Sequence, residues 1–344
     1  MAYTTIDNPV EYFSATLYTG NGTARTIATG HQSDWVWLKR RDGAAGHRIA
    51  DSVRGATKLL YSDSTTSEQT DAKSITGFVS TGFTLGDDAN GYDVNTNTNT
   101  MVAWSWKAGG SASSNSNGSI TSSVSASTDA GFSIVSYTGT GSDANVGHGL
   151  SSAPELIITK SRSTTGDWKV HTSAIDGSWD VGTLNSTSAF GNSSYTASTN
   201  SIFYVGSGAP TNASSVTYVS YLLHSVKGYS KFGSYTGNGS LDAPFIHLGF
   251  KPAWLMIKRT DTTNSWVMFD NKRNAFNVVD KHLFANTTDP EDSSANYNEV
   301  DFLSNGFKLR EDNNTINASG GTYIFMAFAE SPFTNSSGVP NNAR

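Results

Sequence analysis

Tyr18-Thr19-Gly20-Asn21-Gly22 decides how the chain reads, because it returns as Tyr137-Thr138-Gly139-Thr140-Gly141 and again as Tyr235-Thr236-Gly237-Asn238-Gly239. Tyr and Thr suit a pleated, half-buried strand, and Gly-Asn-Gly supplies residues that tolerate positive φ, so each copy reads as a strand running into a tight turn. A single pentapeptide of this kind says little. Self-similarity at a sustained period says much more, since it marks a unit written more than once.

The copies stay in step on both sides of the turn. A short strand closing on glycine follows each: Ile27-Ala28-Thr29-Gly30, Val146-Gly147-His148-Gly149 and Ile246-His247-Leu248-Gly249. Next comes an apolar run ending on lysine, Trp35-Val36-Trp37-Leu38-Lys39, Leu156-Ile157-Ile158-Thr159-Lys160 and Trp254-Leu255-Met256-Ile257-Lys258. Runs apolar at nearly every position read as central strands covered on both faces. Eight residues past the lysines sit His47, Trp168 and Trp266, each opening a strand after a polar turn, which is a hairpin signal. The copies also close alike: Asn95, Asn212 and Asn317 each precede by five residues a Thr (Thr100, Thr217, Thr322) that opens an apolar strand. The sequence therefore predicts an all-β protein of three tandem antiparallel β-sandwich modules, jelly-roll or lectin-like, at residues 1–110, 111–228 and 229–344. Each has about 110 to 118 residues, the ordinary size of one domain.

Composition fits that reading. Charged residues are 15% of the 344, against roughly 25% in ordinary globular domains. Ser, Thr, Asn and Gly take their place, as many short strands and exposed turns require. The net charge of −6 gives no basic stripe, so no nucleic-acid partner is expected. Without cysteine there is neither a disulfide framework nor a Cys-based zinc site. Met1 to Asp7 has no basic or apolar signal-peptide region, and no apolar run approaches the roughly 18 residues of a membrane helix, so neither secretion by signal nor membrane insertion is expected. Gly109 to Gly118 reads as a flexible Gly/Ser/Asn linker delivering an extra edge strand through Ile120, Ser122, Val124 and Ala126. The join from His224 to Phe232 reads as stiffer. Helical periodicity is confined to Asn271–Leu283, where Ala275, Val278, Val279 and His282 fit either a short helix or a strand connection.

The candidates for chemistry are sparse. Seven dispersed histidines, His31, His47, His148, His171, His224, His247 and His282, show no metal-ligand spacing, and no metal or other cofactor is expected. The stretch Asp87 to Asp93 lacks the glycine and closing glutamate of a calcium loop and reads as a solvated turn. Asp51 and Asp270 each lie twelve residues past their lysine, followed by Arg54 and Arg273, but Thr172 stands there in copy two. A glycosidase needs two carboxylates across one cleft. An Asp–Arg pair steadying a strand exit explains these four residues better, with a ligand contact as the alternative. Trp179, Tyr195 and Tyr297 fall outside the shared pattern, in copy-specific loops, and are the candidate contacts with a partner. No catalytic residue is assigned, and the chain is not expected to be an enzyme.

YTGNG, the PAWLMIKRT strand (Pro252–Thr260), FLSNGFKLR (Phe302–Arg310) and YIFMAFAESPF (Tyr323–Phe333) resemble a group of virion-associated proteins of marine tailed bacteriophages. Copy one departs from the pattern at Ser33-Asp34, where the others carry Pro154-Glu155 and Pro252-Ala253. The resemblance implies repeated lectin-like β-sandwich domains and a non-enzymatic structural component of the virion, as a tail fibre or receptor-binding protein or a capsid decoration. It implies other virion proteins, further copies of the chain and host-surface carbohydrate as partners, and release by lysis from the host cytoplasm. It carries over no binding residues. A polysaccharide-degrading enzyme is the alternative class.

Overall fold

The computed structural model describes residues 3–292 and 299–341, and almost all regular structure there is antiparallel β. Three large sheets share one strand order. In each, an opening strand (Phe13–Thr19, Phe132–Thr138, Ser230–Thr236) pairs with a closing strand (Thr100–Trp106, Thr217–Leu223, Thr322–Pro332). The closing strand pairs in turn with the lysine strand (Trp35–Arg40, Leu156–Ser161, Phe250–Arg259), and that with a return strand (Arg48–Asp51, Lys169–Thr172, Trp266–Asp270). In the second segment the sheet grows to eight strands, with Ser113–Asn115 and Ser122–Ser127 at one edge and Asp180–Thr183 and Gly191–Asn192 at the other. The Gly/Ser/Asn stretch thus enters as edge strands. It is tied down by bonds from Ala108 and Gly110 N–H to Asp34 and from Gly109 N–H to Ser125.

Smaller sheets lie against the large ones. Arg25–Ala28, Gly82–Leu85 and Ile75–Val79 form one, and Phe245–His247, Gly306–Leu309 and Val300–Leu303 another, with the Gly-led strand in the middle. The second segment has two strands only, Ala144–Gly147 and Ile202–Val205.

Side chains alternate across a strand, so each lysine strand has two faces with separate duties. Val36 and Leu38, Ile157, and Leu255 and Ile257 face their own small sheet in three distinct apolar clusters. Trp35 and Trp37, Leu156 and Ile158, and Trp254 and Met256 face the other way, into one cluster shared by all three segments. Trp35 lies 4.5 Å from Tyr221, Phe13 5.3 Å from Phe328, Trp106 5.6 Å from Trp254 and Phe190 5.8 Å from Trp266. A buried tryptophan removes about 150–250 Å² from water, an upper estimate of roughly 4–6 kcal/mol each, so the shared face is a main source of cohesion.

Lys39, Lys160 and Lys258 have the parity of the shared face, and all three are buried. Each ammonium donates to a carbonyl of a different segment: Lys39 to Thr288, Lys160 to Thr65 and Lys258 to Thr187, at 3.1, 3.1 and 3.3 Å. Segment one thus leans on three, two on one and three on two. The same circuit recurs at the residues opening the return strands, where Trp168 Nε1 donates to Tyr61 O (2.7 Å) and Trp266 Nε1 to Thr183 O (3.0 Å). His47 stands in for the third tryptophan. Its Nδ1 accepts from the Trp37 indole at 2.8 Å, so its Nε2 carries the proton and donates to Phe284 O at 3.0 Å.

The stretch Asn271–Leu283 holds no helix. Asn274 closes it as a loop, donating to Asp280 and accepting from Lys281 N–H, while Val279 pairs with Val300 through two backbone bonds. A β-branched residue captured by a neighbouring strand overrides a weak helical period.

Candidate functional site

The Asp–Arg residues prove to be the seams between segments. Asp51 bonds Arg54 and also accepts from Tyr221 Oη of segment two at 2.7 Å, and Arg54 reaches Glu68 at 3.1 Å. Glu68 in turn holds Arg162 of segment two at 2.9 Å. At the seam between segments three and one, Asp270 bonds Arg273 and accepts from Trp104 Nε1 at 3.0 Å, while Glu291 holds Arg41 at 2.8 Å. Burial alone would raise the Asp270 pKa. The adjacent Arg273 charge and the hydrogen bonds outweigh it and hold the carboxyl below its ordinary value.

At the seam between segments two and three every one of these positions is uncharged: Thr172 for the Asp, Ile175 for the Arg, Met326 for the donor, Phe190 for the Glu and Thr260 for the outer Arg. The backbone bond survives the exchange, Phe190 N–H to Thr260 O standing beside Glu68 to Arg162 and Glu291 to Arg41, all at 2.8 Å. Thr172 is therefore a member of a matched apolar set. With their side chains fully buried, Asp51, Arg54, Asp270 and Arg273 have no route to a polymeric ligand.

Of the three aromatic candidates, Trp179 is buried at 8% exposure in the core between the sheets of segment two, which corrects the expectation of an accessible loop anchor. The strand Asp180–Thr183 begins immediately after it and pulls the ring inward with the ladder. Tyr297 lies outside the described residues. Tyr195 is half-buried, its hydroxyl 3.0 Å from Thr211 Oγ1 and its ring 4.3 Å from His171. Burial pushes His171 down to about 4, so it is neutral beside that ring. The Asp87–Asp93 turn is not simply solvated: Asp88 is buried and its carboxylate accepts from Tyr92, Val94 and Asn95 N–H and from the Thr96 hydroxyl. Among the described residues no group of three or more His, Asp or Glu side chains is placed to hold a metal ion. Phe276, 79% exposed on the loop that carries no helix, had no mark in the sequence to set it apart.

A hollow at the surface of segment two is a product of its missing third strand. In segments one and three, Ile75 stands opposite Leu85 and Val300 opposite Leu309. In segment two the stretch before Ile202–Val205 is Ser193-Ser194-Tyr195-Thr196-Ala197-Ser198, where the others have Ile75-Thr76-Gly77-Phe78-Val79 and Val300-Asp301-Phe302-Leu303. Too few apolar side chains remain to seat a strand, and a groove of about 380 Å³ lies between Ser194–Thr196, Tyr204–Gly206 and Asp143–Asn145. Asp143 Oδ1 accepts from Ser207 N–H at 2.8 Å and Asn145 Oδ1 from Ser119 N–H at 2.7 Å. Tyr195 forms the wall towards a second hollow of about 380 Å³ that holds Lys169 and His171. Tyr195 has no counterpart in the shared pattern, which is why it stood out in the sequence; Tyr204 and Asn145 sit on strands of the small sheet and Asp143 in the bend before one, and they gave no such sign.

Neither the curated proteins nor the solved structures contain a match to this chain. One family model spans the three segments together, from residue 8 to residue 332, and its description is a domain of unknown function, DUF7483. With nearly the whole chain matched, the protein belongs to the DUF7483 family.

Proposed function

We propose that the chain is a non-enzymatic structural component of a bacteriophage particle, displayed on the virion as a tail fibre, receptor-binding protein or capsid decoration. In this reading an internal triplication produced three β-sandwich modules that close into a pseudo-threefold ring. The observation that carries it is the circuit of hydrogen bonds from Lys39, Lys160 and Lys258, each to the next segment in one direction. Contacts of that kind are what a homotrimer makes, here fused into one chain, and they yield a rigid platform whose variation is confined to outward loops. Partners are other proteins of the particle, further copies of the chain and host-surface carbohydrate. The carboxylates a depolymerase would use, Asp51 and Asp270, are locked in the seams and turned from solvent.

The test is mass spectrometry of purified particles from the source phage, with antibody labelling to find the protein on them. Its absence from particles sinks the proposal. So does release of reducing ends from host polysaccharide by the purified chain.

A further inference from the structure

We propose that the groove of segment two between Tyr195 and Tyr204 is a binding site for a neutral oligosaccharide. The inference deepens the reading above by assigning its carbohydrate contact to one place, and it rests on that reading only for the biological setting. Four observations converge on it. The groove exists in one segment of three, since the corresponding space is filled by Ile75–Val79 in the first and by Val300–Leu303 in the third. A fold that gives up a strand at one repeat exposes a sheet edge there, and sheet edges are ordinarily covered.

Its volume of about 380 Å³ falls in the range of small-molecule sites, enough for one or two sugar rings. The lining combines aromatic and polar side chains in the way a sugar demands. Tyr204 and Tyr195 offer ring faces for the C–H side of a pyranose. Asp143, Asn145, Ser194 and Thr196 offer acceptors and donors for its hydroxyls. Three of these are pre-positioned: Asp143 and Asn145 each commit one oxygen to a backbone N–H, and Tyr195 is fixed through Thr211. The Tyr204 hydroxyl and the Asn145 amide NH₂ make no hydrogen bond among the described residues, so both are available to a ligand without breaking a bond.

Charge sets the class. Among the described residues no lysine or arginine lines the groove, and Asp143 places a carboxylate in it, so sialylated, sulfated or uronic sugars are repelled and neutral hexoses are not. The nearby Lys169 faces the second hollow, beyond the Tyr195 wall. Addition of a partner's β-strand to the open edge of Ile202–Val205 is less well served, because Ser194–Thr196 stands along that edge and Tyr195 is bonded in place.

The experiment applies the full chain to an array of neutral oligosaccharides terminating in glucose, galactose, mannose or N-acetylhexosamine, together with sialylated, sulfated and uronate-containing counterparts. The strongest neutral glycan is then titrated by calorimetry against the wild type and the variants Tyr204→Ala, Asn145→Ala and Asp143→Asn. All three positions are at least partly exposed, and an unchanged melting temperature shows that each variant is folded. The expected result is saturable binding of a neutral glycan, weakened at least tenfold by Tyr204→Ala and severalfold by Asn145→Ala, with Asp143→Asn relaxing the rejection of acidic glycans. Binding of acidic glycans alone, no binding to any of the array, or neutral binding that Tyr204→Ala leaves unchanged overturns the assignment. These outcomes are independent of the particle test: a chain found on virions that binds no neutral sugar defeats this inference alone, and a chain absent from virions that binds through Tyr204 defeats only the proposed setting.

Discussion

A Gly-x-Gly turn leaves backbone N–H and C=O groups without strand partners, and at all three YTGxG turns a buried asparagine supplies them. Asn95, Asn212 and Asn317 each accept from the N–H of the residue between the glycines, at 3.3, 2.8 and 2.9 Å. Their amide NH₂ groups donate to Thr23, Ser142 and Ser240 carbonyls, and their own carbonyls take the N–H of Gly22, Gly141 and Gly239. Tyr18, Tyr137 and Tyr235 complete the clamp, each hydroxyl 2.7 Å from the carbonyl just before the asparagine. The first glycine is required by closeness: a Cβ on Gly20, Gly139 or Gly237 would lie 2.0–2.3 Å from a backbone oxygen. The sequence displayed Tyr, Gly and Asn as three recurring marks; that they touch one another was hidden, since more than seventy residues separate them. Asn212→Ala leaves buried backbone groups unpaired at a cost of about 1–3 kcal/mol each, so a loss of roughly 3 kcal/mol is expected in denaturant titration. Asn212→Asp keeps the acceptor and loses the donor, and it should fall between the two. An alanine variant as stable as the wild type would show that water replaces the side chain without cost.

At the scale of elements, the seams turn the Asp–Arg motif from a possible site into a joint. A buried ion pair is costly to break and often cheap to replace wholesale, because removal of one partner strands the other's charge. Arg54→Ile alone should therefore destabilise by about 3–5 kcal/mol in denaturant titration. The protein already contains the alternative solution at its third seam. Carrying Asp51→Thr, Arg54→Ile, Tyr221→Met, Glu68→Phe and Arg162→Thr together transplants the set Thr172, Ile175, Met326, Phe190 and Thr260. That fivefold variant should regain most of the loss shown by Arg54→Ile; if it is the less stable of the two, the seams are not interchangeable. Thr172 opposite Asp51 and Asp270 was visible in the sequence as an exception. Its companions Met326 and Phe190 were not, because they lie on other strands and only contact between segments relates them. The same reason hid the role of the lysines: a lysine ending an apolar run looks like a strand reaching solvent, whereas its parity with Trp35 and Trp37 points it into the neighbouring segment.

Across the whole molecule, the recurring turns and short apolar runs made the all-β architecture legible, but not that one face of every large sheet belongs to a common core. That shared core predicts that the intact chain melts in one transition and that residues 1–110 expressed alone do not fold, since Trp35, Trp37, Trp104 and Trp106 would face water; separate calorimetric transitions would contradict it. Burial of ionisable groups gives the fold a definite pH signature as well. Desolvation pushes Lys39, Lys160 and Lys258 down to about 8 from an ordinary 10.5, and His31 and His171 down to about 4 from 6.5. In both groups the folded pKa lies below the unfolded one, so between the two values the unfolded chain holds more protons and stability rises with pH. The histidine contribution is complete above about pH 6.5 and is lost as pH falls towards 4. The lysine contribution runs the other way from common experience: neutral pH is where burying three ammonium groups costs most, and stability from this source grows between about pH 8 and 10.5. Replacing Lys160 by methionine removes one of these charges together with its bond to Thr65 O, and should flatten the alkaline rise measurably while leaving the acid limb as it was. Melting temperatures of wild type and Lys160→Met recorded from pH 4 to 10 distinguish the cases: an alkaline limb of equal steepness in the variant means that the seam lysines are not the groups responsible.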